Sequence, residues 1–436
     1  MPLYHPQPPR ARSDEAREIA LKRNRWQRCC RWVAERVMPF LVLLLIWMFA
    51  GPAFAAQDTL VGKHIVGYQG WYGCPSDPVD PRWSHWIHRS KDASEPALSV
   101  DLWPDLGEFD KDELCTVKFG GREASVFSSE NAKTVRRHFR WMREYNIDGA
   151  ALQRFVSEIT RPKSLSRFNA VLHYAQSAAE AEGRGYFVVY DVSGVDGATA
   201  VAAIKKDWPS LVASGSTGSK AYMHHRGKPL VGIWGMGVSG REVTPEQALD
   251  LLAFLRGQGV SLFGGVATYW RTGQHDAGAE PAWQNVYKAF DVLSPWTVGR
   301  YRDGAGAQNY AYFVLSEDIR LAAGRGQDVM PVAFPGFSWA NLQDGRSPLD
   351  QIPRRCGAFY GEQVTAFLRA GGRMLFTAMF DELDEGTAIM KVQRRPDGVP
   401  FDRVLAPDAG QCEPGSDLYL KAAARATRDV YRAARQ

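Results

Sequence analysis

The sequence predicts an α/β chain folded as one (β/α)8 barrel, on three observations. Eight short apolar or β-branched runs recur along the chain, helical patterns separate them, and several runs are almost continuously apolar. Strands buried on both faces read that way, and strand–helix alternation implies a parallel sheet. An open doubly wound sheet is the competing architecture. It usually carries Gly-x-Gly-x-x-Gly after its first strand, whereas here that strand ends in Gln69-Gly70-Trp71-Tyr72-Gly73.

The expected strands are His64–Tyr72, Ile147–Phe155, Tyr186–Val192, Pro229–Gly237, Leu262–Trp270, Val292–Val298, Val329–Phe337 and Met374–Glu382. Among the helical stretches, Asn131–Tyr145 places Val135, Phe139 and Met142 on one face. Thr244–Gly257 opens with Thr-Pro-Glu-Gln, so Thr244 can cap, Pro245 suits the first helical position and Gln247 completes a capping box. Phe168–Ala181 and Ala366–Ala370 are further helix candidates. The largest insertion, Gly73–Glu130, contains the acidic, aromatic stretch Asp101–Asp112. Without the Asp/Gly spacing of a calcium loop, it reads as a solvated loop over part of the barrel mouth.

Composition narrows the function. Of 53 Lys and Arg and 48 Asp and Glu, residues 1–56 hold nine and four, so residues 57–436 carry 44 of each sign. A neutral body argues against a nucleic-acid partner. Residues 1–56 read as a signal peptide with a long basic n-region: the apolar run Phe40–Ala50 precedes Gly-Pro-Ala-Phe-Ala-Ala, with cleavage expected after Ala55. Translation from Met38 would shorten the n-region, and an uncleaved membrane anchor is the competing reading. The run has 11 residues, where a span takes roughly 20, so membrane contact is expected only in transit. Export, to the periplasm or medium, leaves Cys74, Cys115, Cys356 and Cys412 in the barrel domain 57–436. Local pairing would join Cys74 to Cys115 and Cys356 to Cys412; four free buried thiols are the other reading.

In a barrel the active site lies at the carboxyl ends of the strands. Those ends carry Tyr68, Gln69 and Trp71; Gln153 and Arg154; Tyr190 and Asp191; Trp234; Tyr269, Trp270 and Arg271; Trp296; Phe337 and Trp339; and Asp381 and Glu382. Five of the eight ends present a Trp, and flat apolar rings with polar edges suit the faces and hydroxyls of sugars. Packing against neighbouring loops is the alternative for any one of them. After the eighth strand, Asp381-Glu382-Leu383-Asp384-Glu385 sets four carboxylates within five residues. Such crowding demands exposure or unequal protonation, and glycosidic cleavage needs one carboxyl protonated and another ionised. An acidic helix start would show the same composition. His85, His88 and His224-His225 lack zinc spacing, and there is no Gly-x-Ser-x-Gly elbow. No metal or cofactor is expected.

Gly67–Gly73 resembles the aromatic Tyr/Trp-Tyr-Gly opening of glycoside hydrolase families 99 and 71. Phe380–Ile389 is similar to the Phe-Asn-Glu-Trp-His-Glu-Gly-Thr-Gln-Ile of family 99. Lys228–Gly235, Ser294–Tyr301, Phe334–Trp339 and Met379–Glu382 resemble a bacterial 71/99-like branch, from about Gly62 to Lys391. The resemblance implies a (β/α)8 barrel and retaining cleavage of an α-mannoside through a 1,2-anhydro intermediate. By position, Glu382 would be the base toward the sugar 2-hydroxyl and Glu385 the acid/base. The family's Asn, Trp, His and Gln are here Asp381, Leu383, Asp384 and Ala388, and the added carboxylates raise neighbouring Glu pKa values. Family 71 makes an α-glucan the other substrate.

The sequence therefore leads to an exported glycosidase of α-linked poly- or oligosaccharides, with Glu382 and Glu385 catalytic. Tyr68, Trp71, Gln153, Arg154, Tyr190, Asp191, Trp234, Tyr269, Trp270, Trp296 and Trp339 are expected to line subsites. The alternative is a non-catalytic carbohydrate-binding barrel, which would keep the aromatic rim without paired carboxylates.

Overall fold

The computed structural model describes residues 58–89, 96–413 and 415–436. The expected leader, 1–56, lies outside the described residues. In chain order the strands are β1 (His64–Tyr68), β2 (Ile87–Arg89), β3 (Pro96–Leu98), β4 (Leu114–Phe119), β5 (Arg122–Phe127), β6 (Gly149–Phe155), β7 (Gly185–Asp191), β8 (His224–His225), β9 (Lys228–Met236), β10 (Ser261–Val266), β11 (Val292–Pro295), β12 (Asp328–Val329), β13 (Val332–Ala333) and β14 (Leu375–Thr377). The helices are α1 (Ala132–Glu144), α2 (Val156–Ile159), α3 (Pro162–Glu182), α4 (Gly197–Ala213), α5 (Pro245–Gly257), α6 (Trp283–Lys288), α7 (Gly304–Tyr310), α8 (Ser316–Gly324), α9 (Ala358–Arg369) and α10 (Leu418–Ala433).

One curled, mostly parallel sheet runs in the order β12-β11-β10-β9-β7-β6-β1-β14-β13, with β8 antiparallel on β9. Its apolar runs are buried on both faces, as in Tyr186–Tyr190 and Leu230–Ile233. The seventh expected strand is split. Asp328–Val329 pairs with β11 and Val332–Ala333 with β14, with Met330 and Pro331 between them. Pro331 has no N–H to give, but its carbonyl accepts from Phe376 N while Met330 N donates to Leu293 O. The eighth expected strand is shorter than its apolar run: β14 ends at Thr377, and 378–390 forms a compact, largely buried loop. That shortening places the four carboxylates on a loop at the end of the strand, from which Glu382 and Glu385 reach the cavity.

Helix ends follow local chemistry. Asn131 caps α1 by accepting from Lys133 N. Thr244 and Gln247 form the expected reciprocal capping box on α5. Helices α3 and α9 are longer than expected, because tertiary burial of one face extends them beyond the apolar stretch. The structure joins Cys74 to Cys115 and Cys356 to Cys412. Among the described residues no helix is long and apolar enough to cross a membrane.

The 73–130 insertion departs from the expected solvated loop. It folds into two antiparallel pairs, β2–β3 and β4–β5, and buries Trp86 and Trp103. Asp101 is fully buried. Its carboxylate accepts from Ser338 Oγ, Ala340 N and Asn341 N, and its own N–H donates to Leu383 O. A carboxylate with three donors can be buried where an unpartnered one cannot. Asp101 thereby ties the insertion to the loops after β13 and β14.

Candidate active site

The loop after β14 sorts its four carboxylates into two pairs. Asp381 faces the end of β1, where Oδ1 and Oδ2 accept from Gln69 N and Gly70 N at 2.8 and 2.9 Å. Burial pushes its pKa up to about 7, and its work is to clamp β1 to the loop. Asp384 turns away from the cavity toward Tyr72 and His85. Oδ2 pairs with His85 Nδ1 at 3.0 Å and Oδ1 accepts from Tyr72 OH at 3.3 Å. The His85 ring in turn stacks on Trp71, 3.7 Å between centroids and 5° between planes.

Glu382 and Glu385 line the cavity itself. Glu382 is buried, and each oxygen accepts one hydrogen bond: Oε1 from Gln69 Nε2 at 2.6 Å, Oε2 from Thr387 Oγ1 at 2.5 Å. Burial, then the charges of Glu385 and Asp384, push its pKa well above the usual carboxylate range, against those two donors. Glu385 is half-buried. Burial first, then Asp384 and Asp191, push it up to about 7. Gly386, at φ +63°, turns the chain back so that Thr387 can reach Glu382; a Cβ there would sit 2.8 Å from Ser338 N.

The cavity has a volume of about 840 Å³, large enough for several sugar rings by the usual range of ligand clefts. Of the expected residues, Trp71, Gln153, Asp191, Trp234, Trp296 and Trp339 line it beside the two glutamates. Among the described residues the indole N–H groups of Trp234 and Trp339, and Gln69 Oε1, are buried without a partner. Buried polar atoms normally find one, so these three are suited to ligand hydroxyls. Asp191 ends β7 with Oδ1 accepting from Ser193 N at 2.7 Å; burial raises its pKa, offset by Ser193 and then Arg241.

Five expected subsite residues lie away from the cavity, and this corrects the sequence reading. Successive strand residues point to opposite faces, so where Gln153 and Asp191 face in, Arg154 and Tyr190 face the helix layer. There Arg154 pairs with Asp207 at 2.6 Å and Tyr190 OH donates to the same carboxylate at 2.7 Å. By the same alternation Tyr68 turns out, its hydroxyl sharing a hydrogen bond with His138 Nδ1 at 2.9 Å. Burial lowers the pKa of His138 to about 3, which keeps it neutral. Tyr269 and Trp270 sit beyond the end of β10: Tyr269 packs on His275, and Trp270 Nε1 donates to Asp318 at 3.1 Å.

Other cavity residues went unread in the sequence: Ser193, Arg241, Asp276, Arg300 and Arg302. The two arginines flanking Tyr301, just past the sixth strand, were the available signal. As to metals, Cys356, Asp408 and Cys412 come close enough to share an ion, but the two thiols are joined as a disulfide. A larger groove of about 1160 Å³ lies among the outer helices α7 to α10. Its lining includes neither Glu382 nor Glu385, so the carboxylate-lined cavity is the candidate site.

No family model and no curated protein matches the chain. Solved structures do. The family 99 endo-α-mannosidase from Bacteroides thetaiotaomicron superposes with a TM-score of 0.60 at 17% identity, over 86% of this chain and 99% of that one. Its complex with bis-tris-propane gives 0.59 at 18%, over 86% and 99%. A glycoside hydrolase-like protein gives 0.51 at 14%, over 77% and 97%. The chain shares their fold.

Proposed function

We propose that the chain is an exported glycosidase that cleaves an α-linked poly- or oligosaccharide. The observation that carries this reading is one aromatic-walled cavity at the strand ends into which two carboxyls, Glu382 and Glu385, both project with raised pKa values. Two carboxyls that hold one proton between them supply the acid and the base that glycoside hydrolysis needs. In this reading the sheet is a closed (β/α)8 barrel, with β12 and β13 two halves of its seventh strand, and residues 57–436 form the catalytic domain. The two disulfides support export, since such bonds persist in oxidising compartments.

Glu382 accepts a donor at each oxygen, and these hydrogen bonds favour its charged form against the burial and neighbouring charges that raise its pKa, so it is the member of the pair assigned to take the proton of the sugar 2-hydroxyl. Glu385 has no side-chain hydrogen bond among the described residues and opens to the cavity, the position required of a group that protonates the leaving oxygen and then activates water. Mannan-like substrates are favoured by the shared fold, because the superposed enzyme is named an endo-α-mannosidase.

The test is product release from α-mannans, α-glucans and plant hemicelluloses by wild type, Glu382→Gln and Glu385→Gln. Each variant is expected to lose at least about a hundredfold in rate while staying folded. On a glycosyl fluoride, whose leaving group needs no proton, Glu385→Gln should recover cleavage and Glu382→Gln should not. Undiminished turnover in either variant removes that residue from the mechanism. Binding without cleavage by wild type would favour a carbohydrate-binding barrel.

A further inference from the structure

The cavity holds cations as well as acids. Glu382 and Glu385 occupy the wall built by β14, while Arg241, Arg300 and Arg302 enter from the loops after β9 and β11. Between β14 and β9 the sheet order interposes β1, β6 and β7, so Arg241 enters across the sheet from the acids, while Arg300 and Arg302 follow β11. Arg300 is braced: Nη2 pairs with Asp276 Oδ2 at 2.9 Å, and the same carboxylate accepts from Thr268 N and Tyr269 N. The guanidinium of Arg241 lies 5.3 Å from the Trp234 ring, itself a cavity wall. Gly265 gives that ring its place, since a Cβ there would come within 2.4 Å of the indole. Arg302 has no hydrogen bond or ion pair among the described residues. Arg300 is matched by Asp276, and Asp191, which accepts from Ser193 N through one oxygen, also faces the charge of Arg241, so Arg302 is the guanidinium of the three left without a carboxylate partner among the described residues. Guanidinium forks match carboxylate and sulfate geometry.

We propose that this wall is a subsite for an anionic substituent, making the substrate an α-linked saccharide that carries a uronate carboxylate or a sulfate ester. This rests on the glycosidase reading and names its substrate class. The guanidiniums offset the charge of the acid group, and the aromatic pair Trp234 and Trp296, 5.4 Å apart, orients the ring that bears it.

The experiment titrates three α-linked oligosaccharides of equal length (neutral, uronate-bearing and sulfated) into the full chain carrying Glu385→Gln, by calorimetry. The same titrations are run with Arg302→Ala or Arg241→Ala added, and with Arg302→Gln as a second surface variant. At low salt at least one anionic ligand should bind more than about tenfold tighter than the neutral one, the size of one charge-assisted contact. That preference should shrink with added salt and fall about tenfold in the arginine variants. The ligand that gains more identifies carboxylate or sulfate as the group read. Binding of the neutral sugar with no anionic preference, or a preference untouched by all the arginine variants, overturns this inference alone. Failure of all three sugars to bind overturns the glycosidase reading with it.

Discussion

Replacing Glu385 by Gln removes a carboxyl that the fold holds against its own stability. The pKa of Glu385 rises from 4.5 to about 7 on folding, which corresponds to about 3 kcal/mol at 1.36 kcal/mol per pH unit. The folded protein binds this proton more tightly than the unfolded chain. The stability gained from protonation is therefore fully present below pH 4.5 and is lost as the pH rises through about 7. An amide at this position does not titrate, so the Glu385→Gln variant escapes the loss. Removing the charge also relieves Glu382, which acts in the same direction. The unit Ala56–Gln436, at roughly 2.1 cal/mol/K of unfolding entropy per residue, gains about 1.3 °C in Tm per kcal/mol. Glu385→Gln should thus melt about 4 °C above wild type at pH 8, with the gap closing toward pH 4.5. Scanning calorimetry of both proteins at the two pH values measures it. A gap that does not change with pH, or a variant less stable than wild type at pH 8, would refute the reasoning.

Arg154→Ala should act on stability rather than on substrate binding. It strands Asp207 in the core and should cost about 3–5 kcal/mol, read as a lower Tm with unaltered KM; Arg154→Met with Asp207→Leu should recover most of it. His85→Ala takes away both the partner of Asp384 and the ring behind Trp71, and should lower kcat/KM about tenfold or more through misplacement of the platform. Unchanged kcat/KM would mean that the stack positions nothing. Opening Cys74–Cys115, which closes a separation of 41 residues, by a double Ser substitution should cost about 4 kcal/mol in urea unfolding; a smaller loss in the variant than in reductant-treated wild type would assign the remainder to Cys356–Cys412.

Much of the architecture was legible because it depends on local chemistry and burial. Runs such as Phe187-Val188-Val189-Tyr190 are apolar throughout because both faces of a parallel strand are covered, and Thr244 with Gln247 marks a helix start by hydrogen bonds made within four residues. The crowded carboxylates were visible for a similar reason: so many charges at a strand end require a special environment. Direction was harder to read. Arg154 and Gln153 are adjacent, equally polar, and both at the end of β6, yet one reaches the helix layer and the other the cavity.

The sequence by itself determined the strand–helix alternation and the loop that carries Glu382 and Glu385, while the choice among the pairings open to four cysteines fell to the structure. Tertiary structure alone decided which carboxylates face the cavity. Asp381 is turned away by two backbone N–H groups of β1, and Asp384 by a histidine about 300 residues earlier in the chain. It also decided that Asp101 is a buried anchor and that three arginines from two separate loops line the same cavity as the acids. Those outcomes depend on which donors and charges converge in space, and pairings that span hundreds of residues leave no periodicity in the sequence to read.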